Sequence, residues 1–193
     1  NGSVMYYDHW EDGFEADLAN PVQPTTEVWG DGDPSNGDAA DHCVTCAGDA
    51  LTPGDVFVIR NTITTPRDAA EVRFDGRDKV GSTRGFVITA GGFTTPLGSV
   101  LAASASAYDT SKYGTHYVAP VGEDTPTPPG TSPAFETTSL IVMASADGTT
   151  VAIDRDADGT TDVTEMIDEG EVTFVGGGVM QGATVTATKP VQV

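Results

Sequence analysis

The sequence predicts an all-β fold: a β-sandwich, or two packed antiparallel sheets, with long acidic loops rich in glycine and proline. Short runs of β-branched residues recur along the chain, separated by the Gly, Pro and Asp residues that favour turns. No window carries apolar residues at the i, i+3, i+4, i+7 spacing of an amphipathic helix for more than two turns. The 23 Gly and 12 Pro among 193 residues indicate many turns, and an apolar content of 38% is ordinary for a globular protein.

The β-branched runs predict a strand in each of the following ranges: 4–9, 25–29, 55–61, 70–74, 85–90, 99–107, 116–119, 138–144, 149–153, 162–166, 171–175, 184–188 and 190–193. One helical turn is expected at residues 14–18. A Pro-rich, extended connector at residues 122–133 divides the chain into an N-terminal portion, residues 1–121, and a C-terminal portion, residues 134–193. Because the C-terminal portion is small for an independent core, we expect it to pack on the first.

The charge balance is strongly acidic. The chain has 9 basic and 29 acidic residues, a formal net charge of -20. Such a surface repels nucleic acid and anionic membranes and attracts divalent cations. No run of 18 apolar residues is present, so no membrane insertion is expected. The first basic residue is Arg60, which suggests a cation site in the N-terminal third; a solvated acidic face is the alternative.

Residues 154–165 match the calcium-loop pattern D-x-D-x-D-G-x5-E. Carboxylates two residues apart turn inward on a curling backbone, and Gly159 permits the sharp turn. The candidate ligands are Asp154, Asp156, Asp158, the main-chain carbonyl of Thr160, Asp162 and Glu165. We therefore predict that the loop binds Ca²⁺. The alternative is a solvated acidic turn.

The residues on either side of this loop are not those of an EF-hand. The approach at residues 149–153 is β-branched and alternating, which predicts a strand instead of a helix. The expected arrangement is a hairpin of strand, calcium loop and strand. In that setting the match at Glu165 can be fortuitous.

A second acidic segment spaces oxygen side chains two or three residues apart among glycines. Its candidate ligands for a second calcium ion are Asp31, Asp33, Asn36 and Asp38. The fit to a known loop pattern is poorer, and the alternative is a polar turn capped by Asx interactions.

The only cysteines form a C-x-x-C pair, Cys43 and Cys46. Their loop-like surroundings favour a structural disulfide, which implies an oxidising compartment. A zinc site that recruits His42 and Asp41 is the alternative, although no second C-x-x-C is present.

Aromatic and charged residues alternate near the N-terminus. One interpretation is a glycan-stacking surface formed by Tyr6, Tyr7, Trp10 and Trp29. A second is a metal site drawn from Asp8, His9, Glu11 and Asp12. The third is a first strand whose aromatic side chains enter the core.

No catalytic signature supports an enzyme. The chain lacks a G-x-S-x-G elbow, an H-E-x-x-H motif and a glycine loop for phosphate ahead of a helix. We therefore predict a protein that is not an enzyme.

Several segments resemble a known family. Tyr6-Tyr7-Asp8-His9-Trp10-Glu11-Asp12-Gly13 and Glu27-Val28-Trp29-Gly30-Asp31-Gly32 look like the opening of large secreted bacterial proteins. Tyr108-Asp109-Thr110 followed by Tyr113-Gly114-Thr115-His116-Tyr117-Val118 resembles a segment of the IgGFc-binding protein N-terminal-like domain, as do the phrases at 138–143, 147–153, 170–174 and 182–193. The resemblance implies an extracellular, all-β, multidomain surface protein, and it does not imply immunoglobulin binding.

Together these features predict an extracellular calcium-binding structural or adhesion module of a larger surface protein or filament. Its partners would be other surface-protein domains or copies of itself. The alternatives are a glycan-binding module and a fibre subunit that assembles by strand exchange. Strand exchange is suggested by residues 189–193, which stop inside an apparent strand; we expect the natural chain to continue or this strand to complete a neighbouring subunit.

Overall fold

The computed structural model describes residues 2–93 and 102–193, and it confirms the all-β class. Within those ranges, helical segments are limited to short turns at Trp10–Asp12, Ala39–His42 and Thr110–Lys112. None of the helices in the described ranges is long or apolar enough to cross a membrane. The chain separates into two compact units, residues 1–107 and residues 108–193.

The first unit contains a three-stranded antiparallel sheet of β1 (Met5–Asp8), β2 (Glu27–Trp29) and β3 (Lys79–Ser82), in the order β2-β1-β3. A separate hairpin pairs β4 (Thr89–Phe93) with β5 (Ala102–Ser106). The central position of β1 places both of its edges in backbone hydrogen bonds, so β1 offers no open edge for strand exchange.

The core of the first unit is aromatic and combines residues of strands and of loops. Trp29 is fully buried and its ring lies 5.6 Å from that of Tyr7 and 5.1 Å from that of Phe57. Phe74 makes an edge contact with Tyr7, with ring centroids 5.1 Å apart. Tertiary contacts therefore hold these aromatic residues, although the sheet beneath them is short.

Several expectations for the first unit are wrong. Residues 55–61 and 70–74 are not strands: Phe57 makes an isolated bridge to Cys43, and Phe74 enters the core from a loop. Residues 14–18 are not helical. The strand β3 was not expected, because Lys-Val-Gly-Ser lacks an alternating apolar pattern. The expected strand at 99–107 lies partly outside the described residues.

The second unit is one six-stranded antiparallel sheet. Its strands are β6 (Gly114–Val118), β7 (Ser139–Ala144), β8 (Thr149–Asp154), β9 (Val163–Ile167), β10 (Val172–Gly176) and β11 (Thr184–Gln192). The order is β10-β7-β11-β8-β9, and β6 also pairs with β11. The connector at residues 122–133 lies within this unit, because β6 precedes it and joins the same sheet.

The longest strand, β11, replaces the two strands expected at residues 184–188 and 190–193. It is central: its first part pairs with β6 and β8, and its last part pairs with β7. The register shifts between Thr186 and Val191. Pro190 lies in this irregular stretch and has no N–H to donate, while its carbonyl accepts from the Ser145 hydroxyl at 2.7 Å. This strand thus has partners on both sides at residues 184–186 and at Val191.

Alternating side chains of the strands form an aliphatic core in the second unit. In β8, Val151 and Ile153 are fully buried, and they pack with the equally buried Val142, Val185 and Val191. Strand alternation places every second residue on this inner face, so the burial of β8 follows directly from its sequence.

Replacing Ile153 with Ala should destabilise the protein by about 2–5 kcal/mol, because it leaves a cavity in this closely packed core. Urea unfolding curves measure the change. Met166, on the next strand and 71% exposed, provides the control: Met166→Ala should cost less than about 1 kcal/mol. Equal losses for the two variants would contradict the assignment of the core.

Candidate metal centres

The loop at residues 154–162 joins two paired strands, as the sequence predicts. It begins where β8 ends and closes with a hydrogen bond of 2.8 Å from Asp162 N–H to the Ile153 carbonyl. Two residues have positive φ, Ala157 at 60° and Gly159 at 90°. Glycine adopts this conformation easily, so it permits the turn that the motif requires.

Three carboxylates converge inside this loop. Asp154, Asp156 and Asp162 each offer an oxygen that lies within 4.8 Å of the other two. Two of them are fixed through their second oxygens: Asp154 Oδ2 accepts from Gly159 N–H at 2.9 Å, and Asp162 Oδ2 accepts from Arg155 N–H at 2.8 Å. The backbone therefore holds like charges close together, an arrangement that a cation stabilises.

One oxygen of this cluster is especially informative. Asp154 Oδ1 is buried and has no hydrogen-bond partner among the residues that the structure describes. A buried carboxylate oxygen without a donor costs about 1–3 kcal/mol or more. The residues present therefore fit a hard cation, which would bind this oxygen.

The other predicted ligands lie outside the cluster. Asp158 Oδ1 accepts from the Thr160 hydroxyl at 2.5 Å and from its N–H at 2.8 Å, and these bonds lower the pKa of Asp158. Glu165 is opposite Val151 on the paired strand, and its Oε2 accepts from the Thr173 hydroxyl at 3.0 Å. The structure thus directs Glu165 toward β10 and away from the loop, because its place in β9 sets the direction of its side chain.

The second acidic loop is held by local hydrogen bonds. Asp31 accepts from Asp33 N–H at 2.8 Å and from the Asn36 amide at 3.0 Å, and Asp33 accepts from Ser35. Asp38 caps the short helix by accepting from Ala40 N–H at 2.9 Å. No cluster of three ligating groups within the described ranges includes these aspartates. The observed hydrogen bonds are those of a polar turn capped by Asx interactions, which was the alternative to a second calcium site.

Asp49, which sequence analysis did not select, organises that second loop. Its carboxylate accepts from the N–H groups of Gly30 at 2.6 Å, Gly32 at 2.7 Å and Ala39 at 3.1 Å. Burial alone would raise the pKa of Asp49, but these three donors outweigh it and lower the pKa. No local spacing marks Asp49 in the sequence, since its partners lie up to 19 residues away.

Replacing Asp49 with Ala should cost about 2–4 kcal/mol, because three backbone N–H groups lose a charged acceptor and Ala39 is buried. Chemical denaturation measures the loss. The exposed Asp41 is the matched control, and Asp41→Ala should change stability by less than about 0.5 kcal/mol. If Asp49→Ala were as mild as its control, the organising role of Asp49 would be incorrect.

Cys43 and Cys46 form a disulfide in the structure. A metal binds thiolate sulfur, so the sulfurs of this bridge are not available for the alternative zinc site. His42 instead makes an edge contact with the core, with its ring centroid 5.2 Å from that of Trp29.

Two of the four aromatic side chains proposed for glycan stacking are unavailable to a sugar. Trp29 is completely buried and Tyr7 is 8% exposed. Tyr6 and Trp10 are partly buried, and the Arg77 guanidinium lies 4.1 Å from the Trp10 ring centroid. Tyr7 and Trp29 are therefore core residues, as expected if the aromatic side chains of this region enter the core.

The four residues suggested for a metal site near the N-terminus do not all lie together in the structure. Asp8 is buried and accepts from Glu15 N–H at 2.8 Å and from the Thr26 hydroxyl at 3.2 Å; burial raises its pKa. Asp12 accepts from the Thr25 hydroxyl at 2.6 Å. His9 and Glu11 instead meet Asp78, which lies far away in the sequence.

Comparison with protein-family models, curated proteins and solved structures finds no match for this chain. The resemblance to the IgGFc-binding protein N-terminal-like domain therefore stays a prediction from short sequence phrases.

Proposed function

We propose that this chain is a calcium-stabilised structural and adhesion module of an extracellular surface protein. The observation that carries the proposal is the convergence of Asp154, Asp156 and Asp162 around a buried Asp154 oxygen that lacks a donor among the described residues. All available donors are oxygens, which is the set that Ca²⁺ prefers. Asp158 and the Thr160 carbonyl are the next oxygens in the same loop.

Calcium at this loop would act on folding. The loop connects β8 and β9, and β8 contributes the fully buried Val151 and Ile153 to the core. An ion that binds the loop only when the hairpin is formed adds its binding free energy to the stability of the fold. The protein would then be most stable where calcium is abundant.

Two features support an extracellular location. The Cys43–Cys46 disulfide is typical of proteins from oxidising compartments. Millimolar extracellular calcium would occupy about half or more of such a site, since extracellular modules bind it with Kd values of about 10⁻⁴–10⁻³ M. The net charge of -20 further favours association with divalent cations.

Removing calcium with EGTA should lower the melting temperature, measured by calorimetry in matched buffers. The expected difference in stability is about 2.7 kcal/mol when calcium is present at about 100 times its Kd. Asp156→Ala should remove the response to calcium, because it deletes one of the three converging carboxylates.

The matched control is Glu136→Gln, which removes one exposed negative charge from the same unit. It should keep the full calcium response. A wild-type protein that melts at the same temperature with calcium and with EGTA would show that the loop has no structural calcium.

An exposed apolar pair supports the adhesive part of the proposal. Ile141 and Phe174 are direct cross-strand neighbours on β7 and β10, and they are 58% and 64% exposed. The likewise exposed Val172 lies on the same strand as Phe174. Adjacent exposed apolar side chains on a sheet favour association with another protein surface. We take a second copy of this chain as the simplest partner.

Sedimentation velocity over a concentration series tests this association in calcium buffer. The wild type should form concentration-dependent oligomers, and the double variant Ile141→Thr, Phe174→Thr should remain monomeric. Val118→Thr, which changes an exposed residue elsewhere in the same unit, should associate like the wild type. A wild type that stays monomeric at all concentrations would rule out self-association through this pair.

A further inference from the structure

A second and chemically different cluster lies in the first unit. His9 follows β1, Glu11 lies in the short helical turn Trp10–Asp12, and Asp78 immediately precedes β3. The pairing of β1 with β3 sets Asp8 opposite Lys79, and this register brings His9 and Asp78 together across the sheet. One ligand atom from each of His9, Glu11 and Asp78 lies within 4.8 Å of the other two.

These three side chains are deeply buried, unlike the aspartates of the calcium loop. His9 is 1% exposed, and the side chains of Glu11 and Asp78 are 4% and 1% exposed. His9 Nδ1 lies 3.4 Å from Asp78 Oδ2 and 3.1 Å from the Arg73 carbonyl. Two carboxylates and an imidazole are thus removed from water together, which is unfavourable unless positive charge balances them.

In Glu11 and in Asp78, one carboxylate oxygen accepts hydrogen bonds, and the other has no donor among the described residues. Asp78 Oδ2 accepts from the Tyr7 hydroxyl at 2.6 Å and from Asp75 N–H at 2.8 Å. Glu11 Oε1 accepts from Arg73 N–H at 2.9 Å and from the Arg67 guanidinium. Asp78 Oδ1 and Glu11 Oε2 are buried, and nothing in residues 2–93 or 102–193 donates to them.

We propose that His9, Glu11 and Asp78 bind a divalent transition-metal ion of the Zn²⁺ or Mn²⁺ class. An imidazole nitrogen with carboxylate oxygens suits these ions, whereas calcium prefers oxygen alone. The ion binds the two carboxylate oxygens that lack donors. To bind it, His9 Nδ1 must give up the proton that it donates to the Arg73 carbonyl. A charged His9 releases that proton to solvent on binding, and a neutral His9 keeps one proton on Nε2 instead.

The surroundings of His9 have the features of a metal-ligand environment. Glu27 Oε1 lies 4.0 Å from His9 Nε2, and Glu27 is itself held by a hydrogen bond of 3.2 Å from Trp29 Nε1. Metal-binding histidines commonly direct their second nitrogen toward a carboxylate, which orients the ring. The Tyr7 and Phe74 rings, each centred 4.9 Å from that of His9, restrict its movement.

The role of this site is structural. An ion there would connect β1, the turn after it and the segment before β3, which belong to a sheet of only three short strands. The proposal is independent of the calcium loop, because the two clusters share no residue.

The test is isothermal titration of metal-free protein with ZnCl₂, and separately with MnCl₂, in buffer that contains excess calcium. Metal content after dialysis is measured in parallel. The wild type should retain one equivalent of zinc or manganese. Glu11→Gln and Asp78→Asn should each weaken its binding by at least about tenfold. Glu71→Gln is the matched control; it removes an exposed carboxylate, paired with Arg73, and should leave binding unchanged.

A wild type that retains no stoichiometric zinc or manganese would overturn the proposal. Equal metal affinity in Glu11→Gln and in its control would overturn it as well. If both cluster variants unfold, NMR of the imidazole nitrogens of the wild type tests whether zinc binds His9. The His9 signals are identified as those that remain in the variants His42→Gln and His116→Gln. Zinc must then change the His9 signals selectively, and unchanged His9 signals at saturating zinc would exclude the site.

Discussion

Hydrogen bonds from backbone N–H groups to side-chain carboxylates hold the loops of this protein. Asp49 accepts three such bonds, and Glu15 accepts from Val22 at 2.6 Å and Gln23 at 2.5 Å. In the second unit, Glu123 accepts from Thr138 at 3.1 Å and Gly178 at 2.8 Å. Charged acceptors make these bonds stronger than neutral ones, so a chain with little regular structure in its loops still has defined backbone positions.

The same interaction explains how the fold tolerates its charge. With 29 acidic and 9 basic residues, ion pairs cannot balance most of the carboxylates. Backbone donors stabilise many of them without adding positive residues. What remains are a few buried oxygens for which no donor lies in the described part of the chain, and they concentrate at the 154–162 loop and around Glu11, Asp12 and Asp78. A cation bound at these places would balance the negative charge that the hydrogen bonds leave uncompensated.

The sequence was most informative where local pattern and burial coincide. In the second unit, alternation in β8 predicts which side chains face the core. The aspartate spacing predicts converging carboxylates, and Asp154, Asp156 and Asp162 do converge, whereas the predicted Asp158 lies outside the cluster. It was less informative in the first unit, where Phe57 and Phe74 enter the core from loops instead of strands. Glu165 fitted the loop pattern, but its position in β9 directs it to Thr173.

By itself, the sequence determined the all-β class, the acidic surface and the local hairpin that carries the aspartate loop, because these depend on alternation, composition and residues close in the chain. Only the tertiary structure brought Asp78 to His9 and Glu11, and only it placed Asp49 under the N–H groups of Gly30 and Ala39. Partners this far apart leave no periodic signal. The pairing of β1 with β3 and the packing of the aromatic core decide which of them meet.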